Sequence, residues 1–221
     1  MIAQKNGVSA KGLQTIMGLG SYQTSWTWLH KFRRLMVLSG RNKLSGIVEV
    51  DETLVGGKKP GKRGRGAEGK SLVVIAVEIT GRKTGRVRLS RIPSASSESL
   101  DNFLQNNVEP SSTIITDGWS GYSGLGELGY THRIQQINTI EEEEILPNVH
   151  RIASLLKRWL LGTHQSYLNK NKMEYYLDEY VFRYNRRTSK SRGLLFLRLL
   201  QQAVIIKPVS YKEIVNQNYG S

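Results

Sequence analysis

With 221 residues, no cysteine and a formal net charge of +14, the chain is long enough for one sizeable core and is biased toward a polyanionic partner, of which nucleic acid is the first candidate. The missing cysteine excludes disulfides and thiolate metal sites, so a metal would have to be held by Asp, Glu, His or carbonyl oxygen. A hydrophobic fraction of 38% with four Trp excludes a disordered chain, and no apolar run approaches the roughly 20 residues that cross a bilayer.

The first residues, MIAQKNGVSAKGLQ, lack the apolar stretch of a secretory signal, which leaves the cytosol as the default compartment and no membrane as partner. Residues 9–17 and 21–36 read as two helices, with Ser9 and Ser21 as caps and Gly18 and Gly20 breaking the chain between them. Such a pair is either a helix-turn-helix reading DNA or a helical hairpin packing Trp26, Leu29 and Phe32 inward. A strand, GIVEVDETLVGG, begins at 46. Beyond it runs a Gly-rich segment with six Lys or Arg in the thirteen positions from Lys58 to Lys70, suited to a phosphate backbone.

SLVVIAVEI (71–79) is apolar almost throughout, as in a strand covered on both faces, and RVRLSRI (86–92) alternates as a half-exposed neighbour, Arg86 and Arg88 outward. SSESLDNFLQNNV gives an amphipathic helix with a Ser cap and an early Glu98, STIITDGWSGY a strand ending in a turn, and THRIQQI a weaker strand. The acidic run from Glu141 to Glu144 leads into PNVHRIASLLKRWLLGTH, a helix that Pro147 starts and Gly162 ends. A last long helix, NKMEYYLDEYVFRYNRR, buries Leu177, Tyr180, Val181 and Tyr184 and leaves Arg183, Arg186 and Arg187 as a cationic stripe.

The carboxylates of the first strand carry the chemistry. Residues two apart share a strand face, so Val48 and Val50 enter the core while Glu49 and Asp51 point to the other side. Asp117, at the end of IITDGW, joins Asp51 if the two strands are neighbours. Two converging carboxylates repel, and a divalent cation removes that cost. The plainer alternative is that both acids cap strand ends or pair with surplus Arg. On the helix after Pro147, His150 and Lys157 share one face while Ile152, Leu155, Leu156, Trp159 and Leu160 cover the other.

VEVDET with its basic Gly-rich loop, TDGWSGY, HRIASLLKRWLLGTH and YLDEYVFRYNRR, in this order, resemble the catalytic domain of bacterial DDE-type insertion-sequence transposases of the ISXO-type branch. The resemblance covers roughly residues 1–212. It implies an α/β, RNase H-like fold: a mixed sheet flanked by helices over 46–212, after a small helix-turn-helix-like segment over 1–40. It makes Asp51 the first catalytic acid and Asp117 the second, with the third position, seven residues before Lys157, on His150. Many relatives carry Glu or Asn there, and one branch carries His. These residues would hold Mg²⁺ or Mn²⁺, with neutral imidazole suiting Mn²⁺ better than Mg²⁺.

Lys157 is then expected on the phosphate beside the cut. Lys58, Lys59, Lys62, Arg63, Arg65, Lys70, Arg183, Arg186 and Arg187 are expected along the DNA backbone. The resemblance also implies double-stranded DNA, as element ends and target, for partner, a homo-oligomer on that DNA, and association with the nucleoid. The branch normally has an N-terminal zinc ribbon, which a chain without cysteine cannot form; its absence bears on recognition of the element's ends more than on catalysis. Three activities remain open: transposition by cleavage and strand transfer, non-catalytic DNA binding by a transposase remnant, and a different RNase H-like nuclease.

Overall fold

The computed structural model describes residues 6–37, 40–56, 70–81, 83–135, 145–164 and 170–216. The chain divides into two compact units, Asn42–Arg158 and, separately, Met1–Arg41 with Trp159–Ser221.

The unit Asn42–Arg158 is built on a five-stranded sheet in the order β3-β2-β1-β4-β5. Strands β1 (Ile47–Val55), β2 (Ser71–Thr80) and β3 (Lys83–Ile92) form an antiparallel meander. On the other side of β1, β4 (Thr113–Thr116) runs parallel to it and β5 (Thr131–Ile134) runs parallel to β4. A parallel neighbour cannot follow from a tight turn, so the chain crosses from β3 to β4 through helix α3 (Ser97–Asn107). Ser96 starts this helix by accepting a hydrogen bond from the Ser99 amide, as the Ser-cap reading expects. The mixed sheet with flanking helices is the RNase H-like arrangement implied by the sequence, with Asp51 on the first strand and Asp117 just after the fourth.

Alternation along β1 assigns the faces. Val48 and Val50 are fully buried in a core shared with Val74, Ala76, Ile114, Leu100, Phe103 and Leu104. The opposite face of β2 is equally apolar, with Val73, Ile75 and Val77 fully buried, so β2 is covered on both sides as its composition implied. Arg88 departs from the expected pattern: it is buried, and its guanidinium donates to the carbonyls of Val87 and Asn42. The strand accommodates the cation because fixed backbone acceptors replace water.

The unit Met1–Arg41 with Trp159–Ser221 is helical. It holds α1 (Ala10–Met17), α2 (Tyr22–Arg34), the end of α4 (Pro147–His164), α5 (Met173–Asn185), α6 (Arg192–Ile205) and α7 (Tyr211–Asn216). Ser9 caps α1 and Gly18 ends it at φ 63°, but Ser21 makes no side-chain cap. Leu29 packs inward and Trp26 partly so, whereas Phe32 stays exposed against Trp28. Helix α5 is buried far beyond its expected stripe, from Tyr175 through Phe182, because α2 packs on it and the ends of the chain add further apolar groups. Its acid Glu179 is matched by Arg33 of α2 at 2.8 Å, both almost wholly out of water.

Candidate active site

Asp51 lies on the central strand, on the face opposite the valine core, with its side chain 19% exposed. Nε2 of His150, in the first turn of α4, lies 3.5 Å from Asp51 Oδ2. The helix meets its expected amphipathicity: Val149, Ile152, Ala153 and Leu156 are buried, while Ser154 and Lys157 are exposed on the side that carries His150.

Asp117 follows β4 in a turn that the sequence builds closely. Its Oδ1 accepts the Trp119 amide at 3.0 Å, and Thr116 Oγ1 accepts the Gly118 amide at 3.1 Å. Gly118 has φ 84°, and a Cβ there would lie 2.7 Å from Ile134 Cγ2, so only glycine fits. Trp119 donates from its indole to the Ala95 carbonyl and Tyr122 is fully buried, so both aromatics pack, with the Tyr122 phenol near enough to Glu52, Asp51 and Asp117 to feel their charges.

The electrostatics tie these groups together. Burial raises the Asp51 pKa; the Glu52 amide, donating to Oδ1 at 2.7 Å, opposes that, and the Asp117 charge raises it further. Glu52 is pushed up to about 7, first by burial and then by the charge of Asp51. The phenol of Tyr122 is raised by burial, then by Glu52, Asp51 and Asp117. Although Lys157 is exposed as a residue, partial desolvation of its ammonium lowers the pKa, Lys70 lowers it further, and Asp51 pulls the other way. Asp51, Asp117, His150, Lys157 and Lys70 therefore belong to one neighbourhood, in which carboxylates crowd one another and two cations stand close by.

The donors suit a hard or borderline divalent cation, since they are oxygens and one imidazole, and the burial that chiefly raises Asp51, with the smaller repulsion from Asp117, is a cost a cation relieves. Among the described residues, however, no three His, Asp or Glu side chains are gathered closely enough to hold an ion. Lys58, Lys59, Lys62, Arg63 and Arg65 lie outside the described residues, as do Glu141 to Glu144. Arg186 lies over the Phe182 ring and Arg187 over Tyr184, each at 4.0 Å, so this part of the expected stripe is held by aromatic faces.

Sequence reasoning missed two acids. It gave Glu49 only a strand face, yet its carboxylate meets the start of α4: Oε2 accepts the Asn148 and Val149 amides at 2.9 and 3.0 Å, and Oε1 accepts Asn148 Nδ2 at 2.7 Å. The available signal was a helix opening on Pro with no acid of its own in the first turn. Glu52 was given no role because strand alternation turns it toward the core face, and only the fold reveals that burial and the Asp51 charge raise its pKa.

No curated protein matches the chain. Among solved structures, a chain of the simian T-cell lymphotropic virus intasome in complex with the PP2A regulatory subunit B56 gamma is similar at 14% identity. The match covers 79% of this chain and 68% of that one, with a TM-score of 0.43. A family model described as the ISXO2-like transposase domain matches residues 43–185, and the chain belongs to that family.

Proposed function

We propose that the chain is a DDE-type DNA transposase that cleaves and joins DNA at the site formed by Asp51, Asp117 and His150. The observation that carries this reading is the approach of His150 to Asp51 at 3.5 Å, from helix and strand, beside a second aspartate whose charge Asp51 feels. Asp51 and His150, the two side chains that already approach each other, would hold Mn²⁺ or Mg²⁺ with Asp117 as the neighbouring acid, the imidazole favouring Mn²⁺. A divalent cation bound there supplies Lewis acidity toward the scissile phosphodiester and the attacking hydroxyl.

The chain's own residues supply the rest. Lys157, two turns from His150 on the same helix face, meets the phosphate next to the cut, with Lys70 beside it. Arg183, Arg186, Arg187 and the basic positions Lys58, Lys59, Lys62, Arg63 and Arg65 neutralise the DNA backbone. The partner is double-stranded DNA, as element ends and target, met by a homo-oligomer in the bacterial cytoplasm, on the nucleoid. The ISXO-type branch and a catalytic unit over 46–212 following a helical DNA-contacting segment over 1–40 belong to the same reading.

Nicking of supercoiled plasmid and of duplexes carrying the DNA that flanks the gene, with Mn²⁺ or Mg²⁺, tests it. Wild type nicks, more strongly with Mn²⁺, and Asp51→Asn and Asp117→Asn each lose about 100-fold while binding DNA as before. Equal nicking by wild type and Asp51→Asn removes the assigned site.

The absence among the described residues of three ligand-type side chains gathered as a set favours a second reading, a non-catalytic DNA-binding remnant. Salt-sensitive DNA binding with no nicking in either ion is its signature.

A further inference from the structure

The start of α4 has an unusual set of hydrogen bonds. Four amide donors at a helix start normally lack partners. Here Pro147 has no N–H, the amides of Asn148 and Val149 both donate to Glu49 Oε2, and the regular helix ladder begins only with the His150 amide on Leu146 O at 3.1 Å. The Asn148 side chain adds a third bond to Glu49 through Oε1. Glu49 is 5% exposed, so its charge is carried by these donors and by the positive end of the helix. A cap that helices usually find in the preceding residue is supplied by a strand about 100 residues earlier.

Two further observations give the arrangement a purpose. Glu49 stands two residues before Asp51 on the same face of β1, and the amides it holds stand one and two residues before His150. The strand thus grips the helix one step away from the place where strand and helix bring Asp51 and His150 together. The chain enters α4 through Leu146, which is buried and has φ 52°, a left-handed conformation that leucine adopts only when its surroundings impose it.

We propose that Glu49 is a positioning residue: its carboxylate anchors the first turn of α4 to β1 and so keeps the His150 imidazole facing Asp51. The consequence for ion binding rests on the reading of Asp51, Asp117 and His150 as the cation site. With both oxygens taken by the helix, Glu49 acts through His150 rather than on DNA or ion.

The test uses the full chain as wild type, Glu49→Gln, His150→Ala and the double variant. The amide of Gln is isosteric but uncharged and has one acceptor oxygen where Glu49 uses two, so the charge-assisted bonds to the helix start weaken. Amide hydrogen exchange of Asn148 and Val149 accelerates about tenfold in Glu49→Gln, while the α3 segment 97–107 is unchanged. Mn²⁺ binding, followed by the electron paramagnetic resonance of the free ion, weakens about tenfold in Glu49→Gln but by less than about twofold when the substitution is added to His150→Ala. A residue with a merely structural role would weaken binding equally in both backgrounds, and that result overturns the proposal.

Unchanged exchange at 148 and 149 also overturns it, with or without metal binding. Should wild type bind no Mn²⁺, the cation site fails, and exchange alone decides whether the anchor exists. If Glu49→Gln does not fold, Asn148→Ala, which keeps both backbone donors, replaces it: exchange at 148 and 149 faster by about threefold supports the anchor, and unchanged exchange overturns it.

Discussion

Asp51 and Glu52 are adjacent in sequence but point to opposite faces of β1, and each shifts the other. The folded state raises Glu52 from 4.5 to about 7, so it holds a proton that the unfolded chain gives up at lower pH. Stability from this residue is therefore full below about pH 4.5 and is lost as pH rises through about 7. Glu52→Gln, which mimics the protonated form, is expected to resist urea better than wild type at pH 8 and no better at pH 4. Both proteins are compared in EDTA so that no bound ion enters the balance. The sequence revealed none of this coupling, because alternation separates the two acids by face and says nothing of their distance.

Among the elements, α4 and β1 were the most legible and α6 and α7 the least. Strand period and the Pro start were enough to place Asp51 and His150 on the right elements and to give the helix its apolar side. The pairing of β1 with β4, which brings Asp117 alongside, follows from a crossover that no local pattern encodes. Helices α6 and α7 were not anticipated. The apolar run of α6 has no clean period, and much of it stays exposed, at Leu194, Phe196, Leu197 and Val204.

The burial of Arg33 and Glu179 was equally hidden, since each reads as an ordinary surface charge on its own helix. Arg33→Met removes the countercharge of a fully buried carboxylate and should cost roughly 3 to 5 kcal/mol in urea unfolding. Adding Glu179→Gln should restore much of that loss, because the pair is costly to break and cheap to replace together.

At the scale of the whole molecule, charge sets the partner that the proposed function needs. An excess of fourteen positive charges makes the proposed DNA binding an exchange of condensed counterions for side chains. Affinity for a random duplex, measured by fluorescence anisotropy, should fall by roughly a thousandfold between about 50 and about 200 mM salt. A shallow dependence would mean that few of the 32 Lys and Arg reach phosphate.

The alternation of β1 also limits how this gene can change. Loss or gain of a single codon between those for Val48 and Asp51 would swap the two faces, sending carboxylates into the valine core and valines toward the helix. A change of two codons would keep the faces but slide Glu49 and Asp51 out of step by about 6.6 Å. Divergence in this stretch therefore proceeds by replacement at fixed length, and a library of in-frame insertions and deletions across it should be empty of active members.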